Sequence, residues 1–122
     1  MGDWSAQPWD NDEAADWFHR FWRRGDMGFV IETLEGFDPK DEAYDSVRAA
    51  CHVLLAFASP YCWPEAYADR WQATLEKAVW LLSCMIDPPG DDWNFLEMWG
   101  GDPEVIASVQ GQIDGLRSFL PP

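Results

Sequence analysis

Four carboxylates crowd the opening of the chain: Asp10, Asp12, Glu13 and Asp16, set among Trp4, Trp9, Trp17 and Trp22 in the stretch MGDWSAQPWDNDEAADWFHRFW. Asp12 and Asp16 are four residues apart, which puts both on one face of a helix. Paired carboxylates at that spacing share a proton or hold a hard cation. A calcium loop alternates oxygen ligands and turns on a glycine, and here Ala14 and Ala15 stand where a ligand and the glycine belong. No metal and no cofactor is therefore expected. A helix start explains all four acids without a ligand: Asp10 or Asn11 as N-cap, Glu13 three residues after Asp10 in the spacing of a capping box, and the remaining acids at the positive end of the helix dipole. Arg20, Arg23 and Arg24 then sit at the negative end, and Gly25 supplies the stop.

Nucleophilic chemistry finds less support. The serines in LASPY and LLSCM stand in ordinary surroundings, no Gly-x-Ser-x-Gly elbow occurs, and no glycine loop cradles a phosphate. His52, beside Cys51, falls within an apolar helical pattern and is expected to be a core or half-buried histidine. Nine tryptophans remain to be placed. Trp17, Trp71 and Trp80 fall in helical stripes and are assigned to the core. Trp4, Trp9, Trp63, Trp93 and Trp99 fall near helix ends or in loops, where they either cover the bundle or face a partner. Trp93 follows Asp91 and Asp92. The candidate partner-binding set is therefore Trp4, Trp9, Asp10, Asp12, Glu13, Asp16, Asp91, Asp92 and Trp93.

Helices are needed to position these residues, and the periodicity supplies them nearly throughout. A first helix is predicted over 11–24, with Ala14, Trp17, Phe18, Phe21 and Trp22 as its apolar face. A second is predicted over 27–34; GFVIETL is the best strand candidate, being β-branched, but is assigned to this helix. GFDPKDEA reads as a turn, and Asp41 as cap of a third helix over 42–58 with Val47, Ala50, Cys51, Leu54 and Phe57 inward. A fourth is predicted over 65–85, after Pro64. DPPGDD breaks the chain, a short helix follows over 93–99, and Asp102 caps a last helix with Pro103 at its first position. The expected fold is all-α, a compact bundle of four longer helices and one or two short ones, in a single domain over 1–122.

Composition bounds the partners. The chain has 22 acidic and 8 basic residues, a formal net charge of −14. Such a surface repels nucleic acid and anionic membranes and attracts basic proteins, although a plain solubility charge has the same composition. Three cysteines, Cys51, Cys62 and Cys84, with no Cys-x-x-Cys, predict reduced and mostly buried thiols. The longest apolar run, VLLAFA, is too short to cross a bilayer, and the N-terminus shows no export signal; a cytoplasmic location is expected.

MGDWSAQPWDNDEAADWF resembles the start of a bacterial family known as domain of unknown function 4259, in which Met-Gly-x-Trp-Gly-x-Gly-Pro-Phe precedes an Asn-Asp pair and an alanine-rich helix. Met1, Gly2, Trp4, Pro8, Asn11, Asp12, Ala14 or Ala15, and Asp16 match. YDSVRAACHVLLAFASP is similar to the family's central helix, and DDWNFLEMWGGDPEVIASVQGQIDGLRSFL to its closing Leu-x-x-Trp and final helix. Ser5 and Gln7 replace glycines and Trp9 replaces Phe, so any ligand loop that those glycines form is altered here. The resemblance implies a small helical domain and no activity. The sequence favours an acidic binding protein that is no enzyme and neutralises a basic partner, an immunity protein against a bacterial toxin. A self-associating structural or regulatory module of bacterial or phage origin is the alternative, and a carboxylate-based enzyme the second.

Overall fold

The structure, a computed structural model, describes residues 6–121. Asn11, not Asp10, starts the first helix: its backbone is extended, and its buried Oδ1 accepts from the Ala14 N–H at 2.7 Å. Helix α1 (Asp12–Arg24) ends at Gly25, which takes the left-handed φ of 69° and returns its N–H to Phe21. Asp26 caps α2 (Met27–Glu35), which settles the β-branched stretch as helix. Replacing Asn11 with alanine removes a buried cap. The expected cost is about 1 kcal/mol in chemical denaturation, and a change of only about 0.2 kcal/mol would show that the cap contributes nothing.

The third helix departs from expectation. Asp38, not Asp41, does the local capping, accepting from Lys40 N at 2.9 Å at the start of a 3₁₀ turn, Pro39–Asp41. Glu42 then adopts φ 56°, and α3 (Tyr44–Phe57) begins two residues later than predicted, on Ala43, which has no capping side chain. Its missing cap comes from Glu13 of α1, whose Oε2 accepts from the Ser46 N–H at 2.7 Å and from Ser46 Oγ at 2.9 Å. The capping-box partner of the sequence thus serves a different helix.

The predicted fourth helix divides. Glu65–Arg70 is a 3₁₀ segment interrupted by non-helical Tyr67, and α4 (Trp71–Ile86) starts after it. Two indoles pin this junction: Trp63 donates to the Tyr67 carbonyl and Trp71 to the Ala58 carbonyl, each at 2.7 Å. A four-residue α5 (Phe95–Met98) and α6 (Pro103–Arg117) complete the chain, α6 being capped by Asp102 with Pro103 in its first turn, as predicted. The described residues form four helices of 13 to 16 residues and two shorter ones, with no strand.

At the centre lies α3, packed against α1, α2, α4 and α6, with nine of its 14 residues buried. Its small Ala49 and Ala50 admit close neighbours. At Gly115 of α6 an added Cβ would lie 2.7 Å from Leu55 Cδ2, so the Leu55 side chain of α3 packs into the space that the glycine leaves. Three aromatic assignments are corrected. Trp22 is 75% exposed, Trp80 52% and Phe57 44%. Trp22 sits beyond the edge of the buried stripe of α1, Phe57 is the last residue of α3, and Trp80 lies on the face of α4 turned away from Ala78 and Leu82. Trp17 is buried as expected and donates its indole N–H to Thr33 Oγ1 at 2.8 Å.

Candidate functional site

The cap that Glu13 gives to α3 brings the acidic start of α1 against the first turn of the central helix. There it meets Asp45. This carboxyl is partly buried, and its Oδ1 is enclosed without a hydrogen-bond partner among the described residues. Burial, and secondarily the negative charge of Glu13, push its pKa up to about 6, against the pull of Arg48. Asn11, Asp12, Glu13 and Asp45 line one wall of an open cleft of about 340 Å³, and Met98 and Trp99 line the other.

One turn further along α3, Arg48 is buried to 1% exposure. Its Nε donates to Gln112 Oε1 at 2.9 Å, and its Nη2 donates to Ser108 Oγ at 2.7 Å and to the Ala6 carbonyl at 3.0 Å. Gln112 in turn donates to the Arg48 carbonyl at 3.0 Å. The guanidinium therefore ties the N-terminal segment, α3 and α6 together. Burial lowers its pKa to about 10, still well above neutral, so it stays charged. Its Nη1 has no partner among the described residues.

On the outer side of this junction Trp9 leans on His52, with ring centroids 4.7 Å apart, at the rim of a groove of about 590 Å³ between the N-terminal segment, α3 and α6. His52 is half-buried, as expected, and burial lowers its pKa. Trp9 keeps 47% of its surface in solvent.

The second predicted patch lies on the other flank of the same helix start. Asp91 and Asp92 are exposed in a turn, and Trp93 is half-buried against Phe37, Tyr44 and Trp80, at 5.5, 6.2 and 5.8 Å between ring centroids. The Tyr44 hydroxyl donates to Asn94 Oδ1 and accepts from the Asn94 N–H, both at 2.9 Å. Trp80, with Lys77 5.0 Å above its ring, continues this aromatic surface outward.

The predicted residues thus separate into three roles. Asp12, Asp16, Asp91 and Asp92 are exposed and Trp9 is half in solvent, all available to a partner. Asp10 is partly buried and engaged, while Glu13 and Trp93 serve the fold. Trp4 lies outside the described residues. Cys51 and Cys84 are buried free thiols and Cys62 is a free thiol in solvent, in keeping with the expectation of mostly buried thiols. No group of three or more His, Cys, Asp or Glu side chains arranged to hold a metal occurs among the described residues. No helix among them is long and apolar enough to cross a membrane.

Sequence reasoning missed Asp45, Arg48, Ser108 and Gln112. A signal was present for one of them: Arg48 is the only cation between Lys40 and Arg70, and it stands inside an otherwise apolar run. A lone charge in such a run is either solvated or caged, and here it is caged. No curated protein and no solved structure matches the chain. The model of the family described as Domain of unknown function (DUF4259) matches residues 2–104, from the N-terminal segment to the first two residues of α6. That match spans most of the chain and takes in the Asn11 cap, the Glu13–Ser46 link and buried Arg48, so the chain belongs to this family.

Proposed function

We propose that the protein is an acidic binding module that neutralises a basic protein partner, acting as an immunity protein against a bacterial toxin domain. The observation that carries this reading is Trp9: a large indole held against His52 yet 47% exposed, on a chain of net charge −14. An exposed tryptophan fixed in place gives an anchor at little entropic cost, and the chain's excess of carboxylates steers a cationic partner toward the molecule. Asp12, Asp16, Asp91 and Asp92 are the exposed acids of the proposed surface. An acidic surface of this kind suits the basic substrate groove of a nuclease-type toxin.

The test is co-expression with the product of the adjacent reading frame, read as rescue of growth and as affinity of the purified pair. Rescue is expected, with association slowing steeply between about 0.05 and 0.5 M salt. Trp9→Ala should weaken affinity about tenfold or more, chiefly through faster dissociation. Neutralising Asp12, Asp16, Asp91 and Asp92 together should slow association and flatten its salt dependence. No toxic neighbour, or a toxic neighbour that is neither bound nor neutralised, rejects the proposal.

The carboxylate-enzyme alternative has one observation on its side, the raised Asp45 carboxyl beside Glu13 in the cleft. Glu13 is committed to Ser46, however, and Asp45 Oδ1 is closed to solvent, so neither presents a free pair of oxygens to a substrate.

A further inference from the structure

Helix α1 turns Ala14, Trp17 and Phe21 into the core. At about 100° per residue, the stripe diametrically opposite is Asp12, Asp16, His19 and Arg23, and all four are exposed. None of these side chains makes a hydrogen bond or ion pair with another described residue. Asp16 does not take Arg20, four residues on; that guanidinium lies 5.9 Å from the ring centroid of Phe29 instead. Exposed Ala15 and Trp22 flank the stripe on one side. The dipole of the helix accounts for acids in the first turn and arginines in the last. It does not account for an indole left 75% exposed beside the stripe.

We propose that this stripe is a docking surface for a second copy of the chain, with the two α1 helices antiparallel across a two-fold axis. The order acid, acid, imidazole, arginine is complementary to its own reverse. Turned end for end, Asp12 of one copy meets Arg23 of the other, and Asp16 meets His19, each pair occurring twice. The same operation lays Trp22 of each copy over the Ala15 flank of the other, where the small side chain permits an interaxial distance of about 8–10 Å. A parallel arrangement would set Asp12 against Asp12. The net charge of −14 opposes any self-contact, but α1 carries three acids and three arginines, so the helix itself adds no net charge to the contact. A helix of 13 residues is about 20 Å long, which makes a small interface and a weak dimer.

This proposal stands apart from the partner reading, because it concerns the purified chain alone. The two associations compete where both need Asp12 and Asp16. Sedimentation velocity from about 10 to 500 µM protein, in about 0.15 M salt to screen the net charge, should show a monomer–dimer equilibrium. Asp12→Arg and Arg23→Asp should each weaken it tenfold or more, since each places like charges opposite twice. An equimolar mixture of the two variants should regain the dimer as a heterodimer, because both contacts then join opposite charges. Trp22→Ala, which leaves the helix dipole untouched, should also weaken it, and circular dichroism should show all variants helical. A wild type that stays monomeric at 500 µM overturns the proposal. So do charge variants that dimerise like wild type, or a mixture that fails to associate.

Discussion

Arg48→Ala is expected to lower the free energy of unfolding by about 3–5 kcal/mol, a large part of the roughly 5–15 kcal/mol that holds a domain of this size. The reason is what the substitution leaves behind. Gln112 Oε1 loses its donor in the buried interior, Ser108 Oγ and the Ala6 carbonyl lose theirs in a part-buried setting, and Asp45 loses a favourable charge. A cavity of guanidinium size adds to the cost. The loss should be uneven in space. Residues around Ala6 are held to the bundle through this guanidinium, so amide exchange near the N-terminal segment and at the Trp9–His52 contact should rise before exchange in α4 does. Arg48→Lys keeps the charge but cannot fork toward α6 and Ala6 at once, and should recover less than half of the loss. Gln112→Leu combined with Arg48→Ala should cost less than the two single losses added, because each orphans the other. Urea denaturation measures all of these. A loss below about 1 kcal/mol for Arg48→Ala would mean that the cage is decoration rather than a tie.

That cage marks where the amino-acid sequence stops being legible. Helix starts set by neighbouring residues were readable: the cap candidates before α1 included Asn11, and Asp102–Pro103 announced α6. The start of α3 was not, because its cap comes from Glu13, 33 residues upstream. A local rule chose Asp41, and the positive φ of Glu42 takes the chain out of the register in which Asp41 could serve. Burial followed the same division. Trp17 and Phe21 lie in the middle of their stripe and are buried, whereas Trp22 lies beyond the edge of that stripe, Phe57 ends its helix and Trp80 faces away from the buried side of α4, so their exposure depends on where the neighbouring elements stop. Arg48 illustrates the converse. Composition assigns an arginine to solvent, and only the convergence of Ala6, Ser108 and Gln112 makes its burial tolerable. Of the candidate surface, the exposed acids and Trp9 were legible as types in sequence. That Glu13 and Trp93 are taken up by the fold follows from contacts that span the chain.

Asp45 gives the second large effect, and its sign is opposite to that of most carboxylates. The native pKa is about 6, raised from the ordinary 3.8. Between those values the native state holds a proton that the unfolded chain has lost, so this group makes stability fall as pH rises through that window and leaves a cost of about 2–3 kcal/mol above it. Asp45→Asn removes the titration. At pH 7.5 the variant should be more stable than wild type by up to about 2 kcal/mol, and the gain should shrink to nothing as pH falls toward 4. Comparing the two proteins at each pH cancels the other carboxylates and the relief of net charge. Glu13→Gln keeps an acceptor for Ser46 while removing the nearby negative charge, and should lower the Asp45 midpoint, read from its carboxyl carbon by NMR. An Asp45 midpoint near 4 in the wild type, or an Asp45→Asn difference that does not change with pH, would refute this account. The same carboxyl also reports on the proposed binding surface. A partner seated over Asp12, Met98 and Trp99 strips water from the cleft that Asp45 lines, which pushes the midpoint higher still. Binding there should take up a fraction of a proton near pH 6.5, visible in calorimetry as a heat that changes with the ionisation enthalpy of the buffer. Binding elsewhere on the molecule should show no such uptake.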